Sequence, residues 1–438
     1  MSTAPLQPRV SPRDPKAVWG WSLYDFANSA YTTLIVTFIY AVFFTQQIAE
    51  DVVTGTAQWA NAVTVTGIVV ALSSPVLGAL ADGSGRRKAF LAASTLVCVA
   101  GVGLMYFAEP GQVLLALSLF VVSNVAFELS GVFYNSYLPE VAPPGRIGRV
   151  SGYGWALGYL GGLLAMVLAL VALIQPESPW FGIPTDRLQN VRAATVLVAL
   201  WFGLFSIPMF LWVHDPGEGT RRPGASVVRD TLRQLAATFR EIRRYRNIAW
   251  LLVARLVYND GLVTIFAFGP IYAAGTFDFS LEEVMVWGLA LNVTAGLGSV
   301  AMGILDDRIG GRRTILISIA GLIAGSLAAV LATSKGALWV AGLAAGLFVG
   351  PNQAASRSLL GRFVPKGKET EFFGFFAFSG KATAFMGPLL LGVVTALFQS
   401  QRLGMATILL FFTVGGLLLV RVNEAEGIAV ARERGGTA

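Results

Sequence analysis

The sequence is poor in nearly everything a soluble enzyme relies on. One cysteine, Cys98, and one histidine, His214, occur in 438 residues. The first excludes an internal disulfide framework and any multi-cysteine zinc site, and the second excludes histidine-cluster metal chemistry. Charged residues make up only 13%, against roughly 25% in a soluble domain. The phosphate-binding pattern Gly-x-x-x-x-Gly-Lys-Ser/Thr is absent, and no nucleophile stands with a base or metal constellation. An ATP-driven pump and an enzyme are both disfavoured, and no cofactor is implied. What the chain has is apolar: 55% hydrophobic residues and a mean hydropathy of +0.66. That composition belongs to an integral membrane protein.

Crossing the hydrocarbon core takes about 20 largely apolar residues as helix. Twelve such runs are found, at about 21–45, 59–81, 89–107, 112–137, 150–174, 193–213, 248–274, 284–305, 314–333, 337–360, 372–398 and 404–420. Trp19, Trp21, Trp59, Trp212, Trp250, Trp287 and Trp339 fall near run ends, where an indole keeps its ring in the interface and its N–H wet. The first run is too long for a signal-peptide core and lacks a small-residue cleavage site, so it reads as a retained helix.

Of the 32 Lys and Arg residues, 25 fall on the side that holds both termini and the even-numbered turnarounds. Arg187, Arg192, Lys335 and Arg402 lie opposite, and Arg255, Arg357 and Lys381 lie within runs. Basic residues mark the cytoplasmic side, so both termini are expected there, in a plasma membrane of bacterial type. The net charge of +7 is then a topology signal and does not call for nucleic acid. The longest internal loop divides the chain into a bundle over 1–213, a linker over 214–247 and a second bundle over 248–438. Within the linker, Val228, Leu232, Leu235, Phe239 and Ile242 share one face while arginines take the others, predicting a basic helix on the inner leaflet.

The halves repeat. Gly78, Asp82, Gly85, Arg86 and Arg87 after the second run match Gly303, Asp307, Gly310, Arg312 and Arg313 after the eighth, with Arg308 following the second aspartate. Pro143, Gly145, Arg146, Gly152 and Gly158 match Pro365, Gly367, Lys368, Gly374 and Gly380 at an offset of 222. Asn28 and Tyr40 answer Asp260 and Tyr272. Six runs per half with equal topology predict parallel repeats about an axis along the membrane normal.

With these motifs the chain resembles the major facilitator superfamily, whose signature Gly-x-Leu-x-Asp-x-x-Gly-Arg-Arg lies between spans 2 and 3. Gly83 replaces the usual basic residue after Asp82. The resemblance implies twelve transmembrane helices in two six-helix bundles, and the motif copies read as a cytoplasmic gate in which glycine permits a tight loop while Asp and Arg pair or cap helix ends. Further motifs are similar to those of the autophagy-related vacuolar effluxers and their bacterial relatives: Trp21-Ser-Leu-Tyr24-Asp25-Phe-Ala-Asn28-Ser29-Ala-Tyr31, Tyr258-Asn259-Asp260-Gly261, Asn352-Gln353-Ala-Ala-Ser356-Arg357, and Phe372 through Lys381 to Gly387-Pro388. That resemblance implies export of a small amphoteric metabolite, and the superfamily resemblance places spans 1, 4, 7 and 10 around the cavity; a monomer is expected.

An ionisable group at the centre of a membrane helix costs roughly 2.5–3.5 kcal/mol on insertion scales and is a functional candidate by default. Six stand out: Asp25, Glu128, Asp260, Arg255, Arg357 and Lys381. Asp25, Arg255 and Arg357 sit nearer the cytoplasmic ends and suit a closing network. Glu128, Asp260 and Lys381 lie deeper and suit substrate or proton binding, with the coupling proton on Glu128 or Asp260. Asn124, Glu128 and Asn135 share a face at helical spacing, as do Asp25, Asn28 and Thr32, while Asn352 with Ser356 and Gln353 with Arg357 are each one turn apart. Tyr31 and Asn259 complete the candidate set. Gly154, Gly158, Gly161 and Gly162 in span 5 read as close packing with a hinge, and Tyr159 stands where the superfamily's antiporter motif has proline.

The expected function is therefore proton-coupled secondary transport of a small polar or zwitterionic solute. A lipid or lysolipid flippase and a non-transporting membrane sensor or scaffold are the alternatives.

Overall fold

The structure, a computed structural model, describes residues 14–215 and 242–435, with 233, 237 and 238 between them. The basic helix expected over 228–242 falls almost wholly outside the described residues. Within a bilayer every backbone polar group must bond inside its own segment, and the apolar runs accordingly form helices. We number these α1 (Pro15–Ile48), α2 (Val52–Ser84), α3 (Arg87–Leu104), α4 (Val113–Ser136), α5 (Ile147–Ala169), α6 (Gln189–Trp212), α7 (Arg246–Phe277), α8 (Leu281–Ile309), α9 (Gly311–Leu331), α10 (Lys335–Phe363), α11 (Glu369–Lys381 and Met386–Phe398), α12 (Gln401–Leu419) and a final α13 (Glu424–Gly435).

Their ends follow local chemistry. Asp51 accepts from the Val53 and Thr54 amides to open α2, and Ser280 with Glu283 forms a reciprocal cap on α8. Gly85 closes α2 at φ 62° and Gly310 closes α8 at φ 91°. Among the described residues, eleven helices are long and apolar enough to cross a membrane by length and composition alone. The twelfth crossing is α10, whose 29 residues span about 44 Å at 1.5 Å per residue. It falls short on apolarity because it carries Asn352, Gln353, Ser356 and Arg357.

Two apolar cores result. Trp21, Tyr24, Phe120, Phe133 and Phe202 centre one on α1–α6, and Leu251, Tyr258, Leu322, Leu359 and Phe412 centre the other on α7–α12. Lipid is as apolar as leucine, so close packing rather than water exclusion must hold such helices together. The α5 glycines show how. Gly158 faces Ser29 and Gly161 faces the Phe26 backbone, so that α5 lies against α1. Gly158 and Gly161 thus serve packing inside one bundle, and α5 is unbroken from Ile147 to Ala169.

Helix α1 departs from α periodicity. Over Tyr31–Phe38 and Phe44–Ile48 it widens to i→i−5 bonds, such as Ile39 N to Leu34 O at 2.9 Å.

Twelve crossings put both ends of the described chain on one face, here termed the terminal face. There the bundles meet backbone to backbone. A Cβ at Gly78 of α2 would strike the Thr370 carbonyl of α11, and one at Gly303 of α8 would lie 2.9 Å from the Gly148 carbonyl of α5. These motif glycines serve close approach between bundles, while Gly85 and Gly310 supply the turns.

A candidate transport path between the bundles

Three layers of charge join the bundles, beginning at the terminal face. Asp82, at the end of α2, accepts from the Glu371 amide in the first turn of α11 at 2.8 Å. Its other oxygen meets Arg87 Nε at 3.2 Å. Arg87 also reaches Glu140 at 2.8 Å and Glu369 of α11 at 3.0 Å. The repeat performs the same act in reverse. Asp307, at the end of α8, accepts from the Gly148 amide at 2.8 Å and the Arg149 amide at 3.3 Å, in the first turn of α5. Each carboxylate thus caps the start of a helix in the opposite bundle, where unpaired amides and the helix dipole favour negative charge. Around Asp307, Arg362 bridges Asp306 at 2.7 Å and Glu424 at 3.1 Å, and the Ser358 hydroxyl also donates to Asp306.

The second layer is Arg357 of α10. Its Nη1 meets Asp25 at 2.9 Å and Asn135 at 3.1 Å, Nη2 donates to the Ser151 carbonyl at 2.8 Å, and Nε donates to the Ser151 hydroxyl at 2.9 Å. The guanidinium also lies 4.7 Å from the centre of the Trp21 ring. One arginine is thus held by α1, α4 and α5 of the other bundle. Gly154 makes room for it, since a Cβ there would press on both Asp25 and Arg357.

Deeper still, Lys381 of α11 pairs with Glu128 of α4 at 2.7 Å. Lys381 is twelve residues into α11, about 18 Å from its start. The layers differ in wetness. The Asp82 and Arg87 side chains are 0% and 9% exposed, Asp25 and Arg357 14% and 4%, and Glu128 and Lys381 23% and 34%. The Asp82–Arg87 and Asp25–Arg357 pairs are thus nearly dry, whereas the Glu128–Lys381 pair is partly exposed, and the contacts between bundles described above close the terminal face.

Several expected site residues lie elsewhere. Arg255 takes no part in the closing network: it stays within its own bundle, donating to the Phe376 carbonyl at 2.7 Å and Ser379 Oγ at 3.0 Å, over the Phe376 ring at 3.7 Å. Tyr31 is fully buried against Ser123 and Phe127 inside the first bundle. Asn352 turns toward α9, donating to Ser318 at 3.0 Å. Asn259 donates to the Gly380 carbonyl at 3.1 Å. Asn28 receives a long contact from Ser29 at 3.5 Å, Gln353 is half-buried and Asn124 is buried. Of the motif arginines, Arg86, Arg308 and Arg313 are exposed, while Arg312 donates to the Val420 carbonyl at 2.8 Å. His214 is exposed and Cys98 buried. Sequence reasoning missed Glu140, Glu369, Asp306, Arg149, Arg362 and Glu424, which sit among ordinary loop charges. The one available signal was that Glu140 and Arg362 hold equivalent repeat positions at the offset of 222.

Two six-helix bundles related by repeat, joined by carboxylate caps on one face and a charge pair at mid-depth, define a membrane transporter of the major facilitator fold. The fold agrees with that of the human organic anion transporter MFSD10, at a TM-score of 0.72 over 93% of this chain and 100% of that one, with 14% identity. Residues 53–432 match the family described as "Vacuole effluxer Atg22 like", and the chain belongs to that family. It is 28% identical over 419 residues to the MFS-type transporter YxiO of Bacillus subtilis, covering 94% of this chain and 96% of that protein. Autophagy-related protein 22 of Yarrowia lipolytica is 26% identical over 324 residues, 65% of this chain. The chain spans about half the length of the fungal relatives, 53% in that case.

Proposed function

We propose that the protein is a secondary active transporter that exports a small polar or zwitterionic metabolite of amino-acid type by alternating access, driven by a proton gradient. It would lie in a bacterial inner membrane with the terminal face in the cytoplasm, the side favoured by the distribution of Lys and Arg. The observation that carries this reading is the Glu128–Lys381 pair. Opposite charges from opposite bundles meet at 2.7 Å, and both side chains are partly exposed. A zwitterion offers the same two charges, carboxylate to Lys381 and ammonium to Glu128, and can replace the pair with charge-assisted hydrogen bonds on both sides. A proton on Glu128 would release Lys381 and link substrate binding to the gradient. The effluxer family name supports the export direction.

The test is flux in proteoliposomes with Glu128→Gln and Lys381→Met, each first checked for folded yield. Glu128→Gln should keep substrate exchange but lose proton-driven accumulation at least tenfold, because the amide mimics the neutral acid and cannot titrate. Lys381→Met should weaken binding of the substrate carboxylate. Wild-type accumulation by both variants, or flux of lysolipid in place of amino acids, would overturn the reading.

A further inference from the structure

Arg357 sits in a receptor built wholly from the first bundle. Three ring centres surround its guanidinium carbon: Trp21 of α1 at 4.7 Å, Trp155 of α5 at 5.6 Å and Tyr134 of α4 at 5.8 Å. All lie within the distance of about 6 Å at which a ring face attracts a cation. Each guanidinium nitrogen also has its acceptor: Asp25 and Asn135 for Nη1, the Ser151 carbonyl for Nη2 and the Ser151 hydroxyl for Nε. The Ser151 hydroxyl gives its own proton to the Ala354 carbonyl at 2.8 Å, which leaves its lone pairs for Nε. Among the described residues, Arg357 is the one cation paired with Asp25.

The rings do not depend on Arg357 for their positions. The Trp21 indole N–H donates to the Tyr134 carbonyl at 3.0 Å, Trp21 and Tyr134 stack at 4.6 Å, and Tyr24 stacks on Tyr134 at 4.8 Å. The occupant, by contrast, comes from the second bundle. Alternating access rocks one bundle against the other, so opening the terminal face draws Arg357 out with α10. It leaves on the first bundle a carboxylate, neutral acceptors and aromatic faces, on the side from which an exported solute enters. Asn135 and Glu128 are two turns apart on one face of α4, about 10 Å at 1.5 Å per residue, so this seat and the Glu128–Lys381 pair line one path.

We propose that the seat is an entry subsite for a guanidinium group on the transported solute, and that Arg357 fills it as an internal stand-in while the terminal face is closed. A guanidinium is planar, with donors in a fixed fork that the acceptors meet along its edge while the rings cover its faces. An ammonium is a compact charge that cannot engage this set together, and a neutral urea lacks the charge that Asp25 and the rings favour. Because solute and Arg357 compete for the seat, the solute binds only the open state and thereby shifts the equilibrium toward it. The inference narrows the transport reading to a guanidinium-bearing solute of amino-acid type and rests on that reading for its role in the cycle, but occupation of the seat is tested by binding alone.

The probe is L-arginine, with L-citrulline and L-lysine as controls. Citrulline carries the same zwitterionic head on a neutral tail, so the difference between the two isolates the seat, and lysine supplies a cation without the fork. Binding of tritiated arginine is measured on the purified full-length protein. Arg357→Ala should bind it at least tenfold more tightly than wild type, because the internal occupant is gone. Trp155→Leu added to Arg357→Ala should weaken binding at least tenfold, and citrulline and lysine should each compete at least tenfold less well than arginine. In the wild type, saturating arginine should lengthen the distance between spin labels at the exposed positions Arg86 and Lys366, and Trp155→Leu should blunt that response. If Arg357→Ala fails to fold, the wild-type label distance with its Trp155→Leu control carries the test. No gain of arginine binding in folded Arg357→Ala, equal competition by citrulline or lysine, affinity untouched by Trp155→Leu, or a wild-type label distance unmoved by arginine would each overturn the proposal, the last by making the seat a socket for Arg357 alone. Arginine and citrulline bound and transported alike would leave the Glu128–Lys381 reading standing without the seat. Arginine preference that depends on Trp155, with no flux of any amino acid, would leave the seat and remove the transport reading.

Discussion

The two terminal-face latches share a backbone solution and differ in their charges. Asp82 caps α11 and Asp307 caps α5, each carboxylate bonding amides at the start of a helix in the other bundle. Around Asp82, among the described residues, one cation, Arg87, holds three acids: Asp82, Glu140 and Glu369. Around Asp307 there are two cations, Arg149 and Arg362, with Asp306 and Glu424 as the other acids. Repeat-equivalent positions even carry opposite signs, Glu140 in one and Arg362 in the other. The lesson is that the carboxylate-to-amide contact is the constrained part of the repeat. The surrounding charges need only sum to a tolerable local balance, and can be rearranged as long as no buried ion is left alone.

The sharpest break in this comparison should come from Arg87→Met. It strands three acids together and should weaken closure at the first latch by about 3–5 kcal/mol, the usual cost of orphaning a buried charge. Spin labels at the exposed positions Arg86 and Lys366 should report a separation of α2 from α11, read as a longer distance by pulsed electron spin resonance. Arg362→Met should move labels at Arg146 and Arg308 less, because Asp307 keeps Arg149. Next in size are Asp82→Asn and Asp307→Asn, each removing a charged hydrogen-bond acceptor worth about 1.5–3 kcal/mol. These should be alike in magnitude if the shared contact is what matters, and each should slow transport more than it weakens substrate binding. The smallest effect is expected from Glu424→Gln, which loses a charge at the start of α9 worth about 0.3–1 kcal/mol. Only the Arg146–Arg308 distance should respond to it; a change at Arg86–Lys366 would mean that the latches are coupled.

Much of this architecture was legible because membrane helices advertise themselves by length and apolarity, and because a duplicated chain repeats its glycines and aspartates at one offset. The mid-membrane charges were equally visible: Asp25, Glu128, Arg357 and Lys381 stand alone in apolar runs. Which of them meet was harder to read. Arg255 has the same sequence credentials as Arg357, yet a carbonyl and an aromatic face of its own bundle absorb it, and no periodicity reports what lies on the next helix. The latch partners were hidden for another reason. Glu369 and Arg362 occur where loops are charged anyway, and their contacts cross from one half of the chain to the other. The widened turns of α1 left no trace in composition.

The span of those contacts also bears on how the protein is made. Asp82 waits for an amide 289 residues further along the chain, and at ~5–20 residues per second of synthesis the delay is roughly 15–60 s. Gly148 waits for Asp307, and the charge balance there is complete only with Glu424. The first bundle must therefore sit in the bilayer for that interval with Asp25 lacking Arg357 and Asp82 held by Arg87 but lacking the Glu371 amide, open to water, lipid headgroups or an insertion factor. Closure of the terminal face is thus among the last events of biogenesis, since its contacts join the two halves of the chain.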